Sequence, residues 1–214
     1  MLQVEYDTKK YLLKEFICEW FETNDLPNLH KIVQYDHFER STDQSTIWHK
    51  KFYDNIRSDN AFIDKYYEFI ENEIKPRYGE KIVFQKIPTF RVHLPGNIAV
   101  GEFHRDRDYR DAAWAKIVKE TNYFLPLTRA FDTNTIWAES EDGKEDFMPL
   151  NCDYGAFYEW DASNLLHGNK DNISDNTRVS FDFRVIPQSR YIESNRQTIN
   201  TDTEFKIGGY YDIL

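Results

Sequence analysis

Two side chains of metal-binding type stand two positions apart, His104 and Asp106, inside the run Val100-Gly-Glu-Phe-His-Arg-Asp106. The run reads as a β-strand, and strand side chains at i and i+2 leave the same face, so the imidazole and the carboxylate point into one space. A second histidine, His167, follows Leu165-Leu166 and precedes Gly168, where a loop ligand turns inward. Two imidazoles and one carboxylate make the facial triad of non-haem Fe(II) sites, which leaves up to three coordination positions open. Taken singly, each part has an ordinary explanation. Exposed His and Asp are common, and a buried histidine needs only hydrogen-bond partners. Asp108, two residues beyond Asp106, is a rival ligand.

Residues 178–186 make the set more specific. Alternation there puts Val179, Phe181, Phe183 and Val185 on one face and Arg178, Ser180, Asp182 and Arg184 on the other. Such a strand either shows its polar face to water or turns it into a barrel mouth while helices cover the apolar outside. The connection 168–177, Gly-Asn-Lys-Asp-Asn-Ile-Ser-Asp-Asn-Thr, is rich in turn residues, so the segments carrying His167 and Arg178 can lie close together. A guanidinium fork matches a carboxylate bidentately, and Ser180 on the same face adds a hydrogen bond. A dicarboxylate that chelates iron through a 2-oxo acid and reaches Arg178 with its other end fits, and 2-oxoglutarate is such a molecule.

The elements that must hold these groups are legible in outline. Leu12, Leu13, Phe16, Ile17, Trp20 and Phe21 draw an apolar stripe on a helix over 8–23, with Asp7-Thr8 as its cap. Residues 24–48 read mostly as loop, with a short helical turn around 29–35. A second helix spans 58–75, where Phe62, Tyr66, Phe69, Ile70 and Ile74 share a face and Pro76 ends it. Both stripes are of the kind that buttresses a sheet. After Gly79 come short β-type runs at 82–85, 90–94, 98–106, 121–127, 133–140, 156–160, 165–168 and 178–186, with a helical excursion at 107–119 through Ala112, Ala113 and Trp114. Short strands with turns between them predict a jelly-roll type of β architecture, closed or double-sheeted, over a parallel sheet.

Composition narrows the class. The 214 residues fit one domain: 1–80 mainly helical support, 81–187 the β core, 188–214 a polar tail. Sixteen Phe, fourteen Tyr and five Trp predict a core of large rings. A net charge of −10 argues against nucleic acid and anionic membrane as partners. Cys18 and Cys152 are too few for a disulfide framework, and no run approaches the ~18 apolar residues of a spanning helix. A cytoplasmic protein with a small-molecule substrate is expected.

His104-Arg-Asp106, His167 and Arg178-Val-Ser180 together resemble the Fe(II)/2-oxoglutarate-dependent oxygenase superfamily. The stretch from His167 to Arg178 is similar to the closing motif of its phytanoyl-CoA-hydroxylase-like members. Glu120-Thr-Asn-Tyr-Phe-Leu-Pro-Leu-Thr128, Thr135-Ile-Trp-Ala-Glu-Ser140 and Arg178-Val-Ser-Phe-Asp-Phe-Arg-Val-Ile-Pro187 resemble StrG-like bacterial proteins of streptomycin biosynthesis. The resemblance implies a mainly β protein with flanking helices, a double-stranded β-helix of jelly-roll or cupin-like type buttressed by N-terminal helices. It implies Fe(II) on His104, Asp106 and His167, with 2-oxoglutarate and O2 as co-reactants. It prefers Asp106 to Asp108, because His-x-Asp is the superfamily spacing, and a carboxylate there argues against the halogenase variants. Arg178 would bind the C5 carboxylate of 2-oxoglutarate with help from Ser180. Asn122 and Trp137 sit on strands expected to line the pocket, Asn122 as a donor to cosubstrate or substrate. Arg91, His93, Arg105, Arg107 and Arg110 form a basic concentration near the proposed mouth. Two rivals share the barrel: a cupin-type metal enzyme with no need of Arg178, and a non-catalytic small-molecule-binding jelly roll with no metal.

Overall fold

The computed structural model describes residues 1–37, 44–100, 102–109, 117–194, 197 and 203–214. Its strands in chain order are β1 (Leu2–Glu5), β2 (Ile82–Gln85), β3 (Thr89–His93), β4 (Thr121–Pro126), β5 (Ile136–Ala138), β6 (Met148–Pro149), β7 (Ala156–Trp160), β8 (His167–Asn169), β9 (Arg178–Pro187) and β10 (Tyr211–Ile213). The larger sheet runs β1-β7-β4-β9-β2-β10, with β3 also paired to β9; the smaller runs β6-β5-β8. Every pairing within them is antiparallel. The protein is therefore mostly antiparallel β with a few helices.

β9 is the spine. β4 pairs one edge of it while β3 and β2 divide the other. Its apolar residues face a layer of helices: α1 (Thr8–Tyr11), α2 (Leu13–Phe21), α3 (Ile47–Ile56) and α4 (Asn60–Phe69). Phe181 lies 5.6 Å from Phe52 and 5.7 Å from Phe62 between ring centroids, and Phe183 packs on Tyr66 at 5.7 Å and stacks on Tyr123 at 5.0 Å. All six rings are buried, and each contributes on the order of 1.5–3 kcal/mol through area removed from water. On the opposite face of β9, Arg178, Asp182 and Arg184 line a pocket. The alternation seen in the sequence thus resolves in favour of the inward polar face.

Several expectations need correction. The helix over 8–23 is two helices, because Leu12 sits at φ 55 in the left-handed region and interrupts the helical run; Asp7 caps the first through Lys9 N at 2.9 Å. The 58–75 helix is α4, capped by Asp59, followed by a π stretch at Ile70–Ile74 and a 3-10 turn at Lys75–Arg77. The turn expected at 29–35 is a 3-10 helix at Leu26–Lys31, where Pro27 pre-sets the first turn. α3 was not foreseen, although Trp48, Phe52 and Ile56 make a buried stripe. β6 was also unforeseen. The chain ends add β1 and β10, so 188–214 is more than a tail: β10 extends the sheet from β2, with Tyr211 fully buried.

The described residues of 98–106 form no strand and hold one isolated bridge, at His104. The run at 133–140 begins with a 3-10 turn at Asp132–Asn134 before β5. Arg110, Ala112, Ala113 and Trp114, part of the expected excursion, lie outside the described residues. No helix among the described residues is long and apolar enough to cross a membrane.

Candidate metal centre

His104 and Asp106 converge by a route other than a shared strand face. His104 N donates to His167 O at 2.9 Å and His167 N donates to His104 O at 3.0 Å, an antiparallel bridge that sets the two imidazoles side by side. The ring centroids are 4.5 Å apart. Two residues later Asp106 opens a 3-10 turn, Asp106–Tyr109, whose start is pinned by Asp106 N on Ala162 O at 3.0 Å. That turn aims the carboxylate back at the pair. Asp106 Oδ1 is 3.6 Å from His104 Nε2 and 3.9 Å from His167 Nε2. One ligand atom from each residue lies within 4.8 Å of the others, and among the described residues no other such group of three His, Cys, Asp or Glu occurs. Asp108 is exposed and its carboxylate accepts from Arg105 N at 3.2 Å, which leaves it outside the cluster.

The donor set suits a divalent cation. His104 Nδ1 is 2.9 Å from Glu102 O and His167 Nδ1 is 2.9 Å from Leu165 O. A carbonyl can only accept, so Nδ1 carries the hydrogen and the remaining lone pair is on Nε2, the nitrogen turned toward Asp106. This is how metal-binding histidines are oriented. Cis ligands about 2.1 Å from a metal stand about 3 Å apart, so a small contraction closes the set.

The protonation states agree. Burial works against ionising Asp106, yet the Arg184 cation and the histidines hold it well below the usual carboxylate range. Burial lowers the pKa of His167 and favours the neutral ring a ligand must be. His104 is also penalised by burial, but its contact with Asp106 outweighs that and raises it. Trp160 stands edge-on to His167, 4.8 Å between centroids, and fixes the ring from the third side. A Cβ at Gly168 would come within 2.7 Å of the Phe103 ring lying over it, so that ring would have to move.

The pocket beside the triad encloses about 550 Å3 of empty space, part of it open to solvent, and Arg178 and Asn122 line it. Arg178 is 1% exposed, and its Nε and Nη1, together with the buried Ser180 Oγ, meet no hydrogen-bond partner among the described residues. Burial, which the Asp182 charge offsets only in part, pushes the guanidinium down to about 10. Phe124 offers only a ring face, 5.4 Å away. Asn122 is turned to the metal ligand instead: its Nδ2 donates to Asp106 Oδ2 at 3.0 Å.

Trp137 is not brought to the pocket. In β5 it is Ile136 that faces the cavity; Trp137 donates to Asp132 O at 2.8 Å and carries Lys170 on its ring. The basic concentration is mostly consumed. Arg105 binds Glu139 and Asp142, Arg107 binds Asp142, and His93 is buried with both ring nitrogens on backbone carbonyls. Arg91 does line the pocket, 3.4 Å from Asp182.

Two residues escaped the sequence reading. Arg184 donates to Asp106 Oδ2 through Nε at 3.2 Å and Nη2 at 2.9 Å; its place on the polar face of β9 was the available signal. Glu139, fully buried, accepts from Leu166 N, Gly143 N, Glu145 N and Arg105 Nη2. It ties the segments bearing all three candidate ligands to one carboxylate, and nothing in its local sequence marks it.

No family model matches the chain. Solved structures of low identity share the fold, among them two non-haem enzymes. The nickel complex of the non-haem monooxygenase ThoJ superposes with a TM-score of 0.53, 14% identity and coverage of 97% of this chain and 82% of that one. The non-haem alpha-ketoglutarate-dependent carbocyclase SnoK of nogalamycin biosynthesis gives 0.52, 9%, 100% and 91%. In sequence, the streptomycin biosynthesis protein StrG of Streptomyces griseus is 35% identical over 212 residues, 99% of this chain and 98% of StrG. Identity at that level along the full extent of both proteins makes this chain a member of the StrG family.

Proposed function

We propose that the protein is a non-haem Fe(II) oxygenase that uses 2-oxoglutarate and O2 to hydroxylate, or otherwise oxidise by two electrons, a small molecule. One observation carries the reading: the buried guanidinium of Arg178, with Nε and Nη1 unpartnered, lines the same pocket as the His-Asp-His cluster, and the unpartnered, buried Ser180 Oγ lies two residues further along β9. An uncompensated buried charge costs several kcal/mol, and a bound carboxylate would remove that cost. Arg178 and Ser180 would hold the distal carboxylate of 2-oxoglutarate, while His104, Asp106 and His167 would hold the iron. When bound, Fe(II) with 2-oxoglutarate supplies the oxidation, splitting O2 between substrate and succinate with release of CO2. The chain contributes orientation: Arg178 sets the reach of the cosubstrate, Trp160 keeps the His167 ring in place, and the apolar wall of Ile136 and Ala162 limits water at the reacting atoms.

The family and the fold neighbours support the same reading. Kinship with a streptomycin biosynthesis protein favours a sugar-like or secondary-metabolite substrate, and an alpha-ketoglutarate-dependent enzyme is among the proteins sharing the fold. In this reading the two antiparallel sheets are halves of a double-stranded β-helix, residues 1–214 are one oxygenase unit, and 167–178 is the closing segment resembling phytanoyl-CoA-hydroxylase-like members.

The test is anaerobic titration of the Fe(II)-loaded protein with 2-oxoglutarate, followed in the visible range. A weak metal-to-ligand charge-transfer band is expected, together with succinate release on a panel of metabolites that is lost in His104→Ala. Iron bound at full occupancy without the band would point to a cupin-type enzyme, and no metal uptake at all to a binding protein.

A further inference from the structure

We infer that Arg184 is a positioning residue for the metal ligand Asp106, held in turn by the C-terminal segment; the inference rests on the reading of the triad as a metal site. Three N–H groups converge on Asp106 Oδ2: Asn122 Nδ2 at 3.0 Å and the Nε and Nη2 of Arg184 at 3.2 and 2.9 Å. Oδ1 is the oxygen left facing the imidazoles, 3.6 and 3.9 Å from their Nε2 atoms. The two oxygens of one carboxylate thus have separate duties. Oδ2 is anchored to the protein and Oδ1 is presented to the metal.

The anchor decides how the carboxylate binds. A carboxylate without such contacts rotates freely and can chelate through both oxygens, occupying one more coordination position. With Oδ2 saturated by donors on β4 and β9, Asp106 binds through one oxygen, and the positions a bidentate cosubstrate and O2 need stay open. Arg184 also draws charge from Asp106, which weakens the metal–oxygen attraction. Orientation dominates, because the three donors engage the oxygen that would otherwise turn to chelate.

Arg184 is itself gripped from the end of the chain. Its Nη1 donates to Tyr210 Oη at 3.1 Å, and its Nε is 3.8 Å from Glu120 Oε2. Glu120, buried in front of β4, accepts from Tyr211 Oη at 2.8 Å. Tyr210, just before β10, and Tyr211, its first residue, therefore reach the metal ligand through one guanidinium. Truncating or loosening that strand would be felt at the metal without touching any ligand.

The experiment compares Arg184→Met, Arg184→Lys and Tyr210→Phe with wild type, using Mn(II) affinity by electron paramagnetic resonance and the visible spectrum of the Co(II)-loaded protein, without 2-oxoglutarate. Arg184→Met is expected to bind Mn(II) about 10- to 100-fold more weakly, as loss of an outer-sphere partner typically does, with altered Co(II) bands as the carboxylate turns. Arg184→Lys, which keeps the charge and one donor, should recover part of both readouts, and Tyr210→Phe should show a smaller loss of the same sign. Folded Arg184→Met with wild-type affinity and spectrum would overturn the inference. If Arg184→Met does not fold, unchanged readouts in both Arg184→Lys and Tyr210→Phe would overturn it. Failure of the wild type to bind Mn(II) or Co(II) would instead remove the metal-site reading on which it stands.

Discussion

Arg178 is the residue whose energetics say most about function. It is the largest fully buried side chain among the described residues, and in the ligand-free protein its charge has only a ring face and a distant Asp182 to offset burial. Arg178→Met should therefore raise the unfolding free energy of the ligand-free protein, by about 1–3 kcal/mol, seen as a higher midpoint in urea. It should leave Mn(II) binding near wild type and abolish the 2-oxoglutarate charge-transfer band. A variant less stable than wild type, with the band intact, would contradict both halves of the argument.

His93, one strand away and opposite Arg178 in register, supplies a pH prediction. Burial first, and the Arg178 charge second, push it down to about 3, although backbone carbonyls pull the other way. The unfolded chain takes up this proton near its ordinary value of about 6.5, so between there and 3 the unfolded state binds more protons than the folded one. Stability from this residue is complete above about pH 6.5, declines as pH falls, and levels off near 3. Carboxylates titrate little above about pH 5, but burial also lowers His30 and His167 and gives slopes of the same sign, so the His93 share of the change in thermal midpoint between about pH 6.5 and 5 is the difference between wild type and His93→Gln. The variant should show a shallower slope there.

Among the elements, the approach of β5 to β8 governs the site, and Glu139 is its fastening. Burial opposes its ionisation, but bonds from the Leu166, Glu145 and Gly143 amides and the Arg105 charge hold its pKa below the ordinary value. Glu139→Ala strands those amides and leaves Arg105 without its buried partner, at a cost of about 3 kcal/mol. Urea unfolding should show that loss, with weaker Mn(II) binding because the His104 bridge and the Leu166 approach to His167 loosen together. Glu139→Gln, which still accepts, should lose less. α2, α4 and β9 were legible beforehand because a buried stripe repeats with the period of its own element. Glu139, by contrast, is a single residue whose partners are all set by packing.

Taken as an assembly, the protein divides β9 between two tasks, an aromatic face against the helices and a polar face against the ligands. Phe183→Ala should cost about 3–5 kcal/mol, as for a large ring removed from a tight core. It should also weaken Mn(II) binding, since Arg184 shares the backbone of the same strand; a stability loss with unchanged affinity would show that the two faces are uncoupled. The sequence alone carried the identity of the candidate ligands, the alternation of β9 and the existence of an apolar helical layer, because these follow from side-chain chemistry and local periodicity. It also displayed a likeness to StrG-like proteins that the whole-length comparison bears out. Only the tertiary structure decided that Asp106 and not Asp108 joins the histidines, that Trp137 turns outward while Arg184 turns in, and that both chain ends become strands. Those outcomes depend on an isolated bridge between His104 and His167, a 3-10 turn and pairings between distant segments, and such contacts leave no periodic trace in the residues that make them.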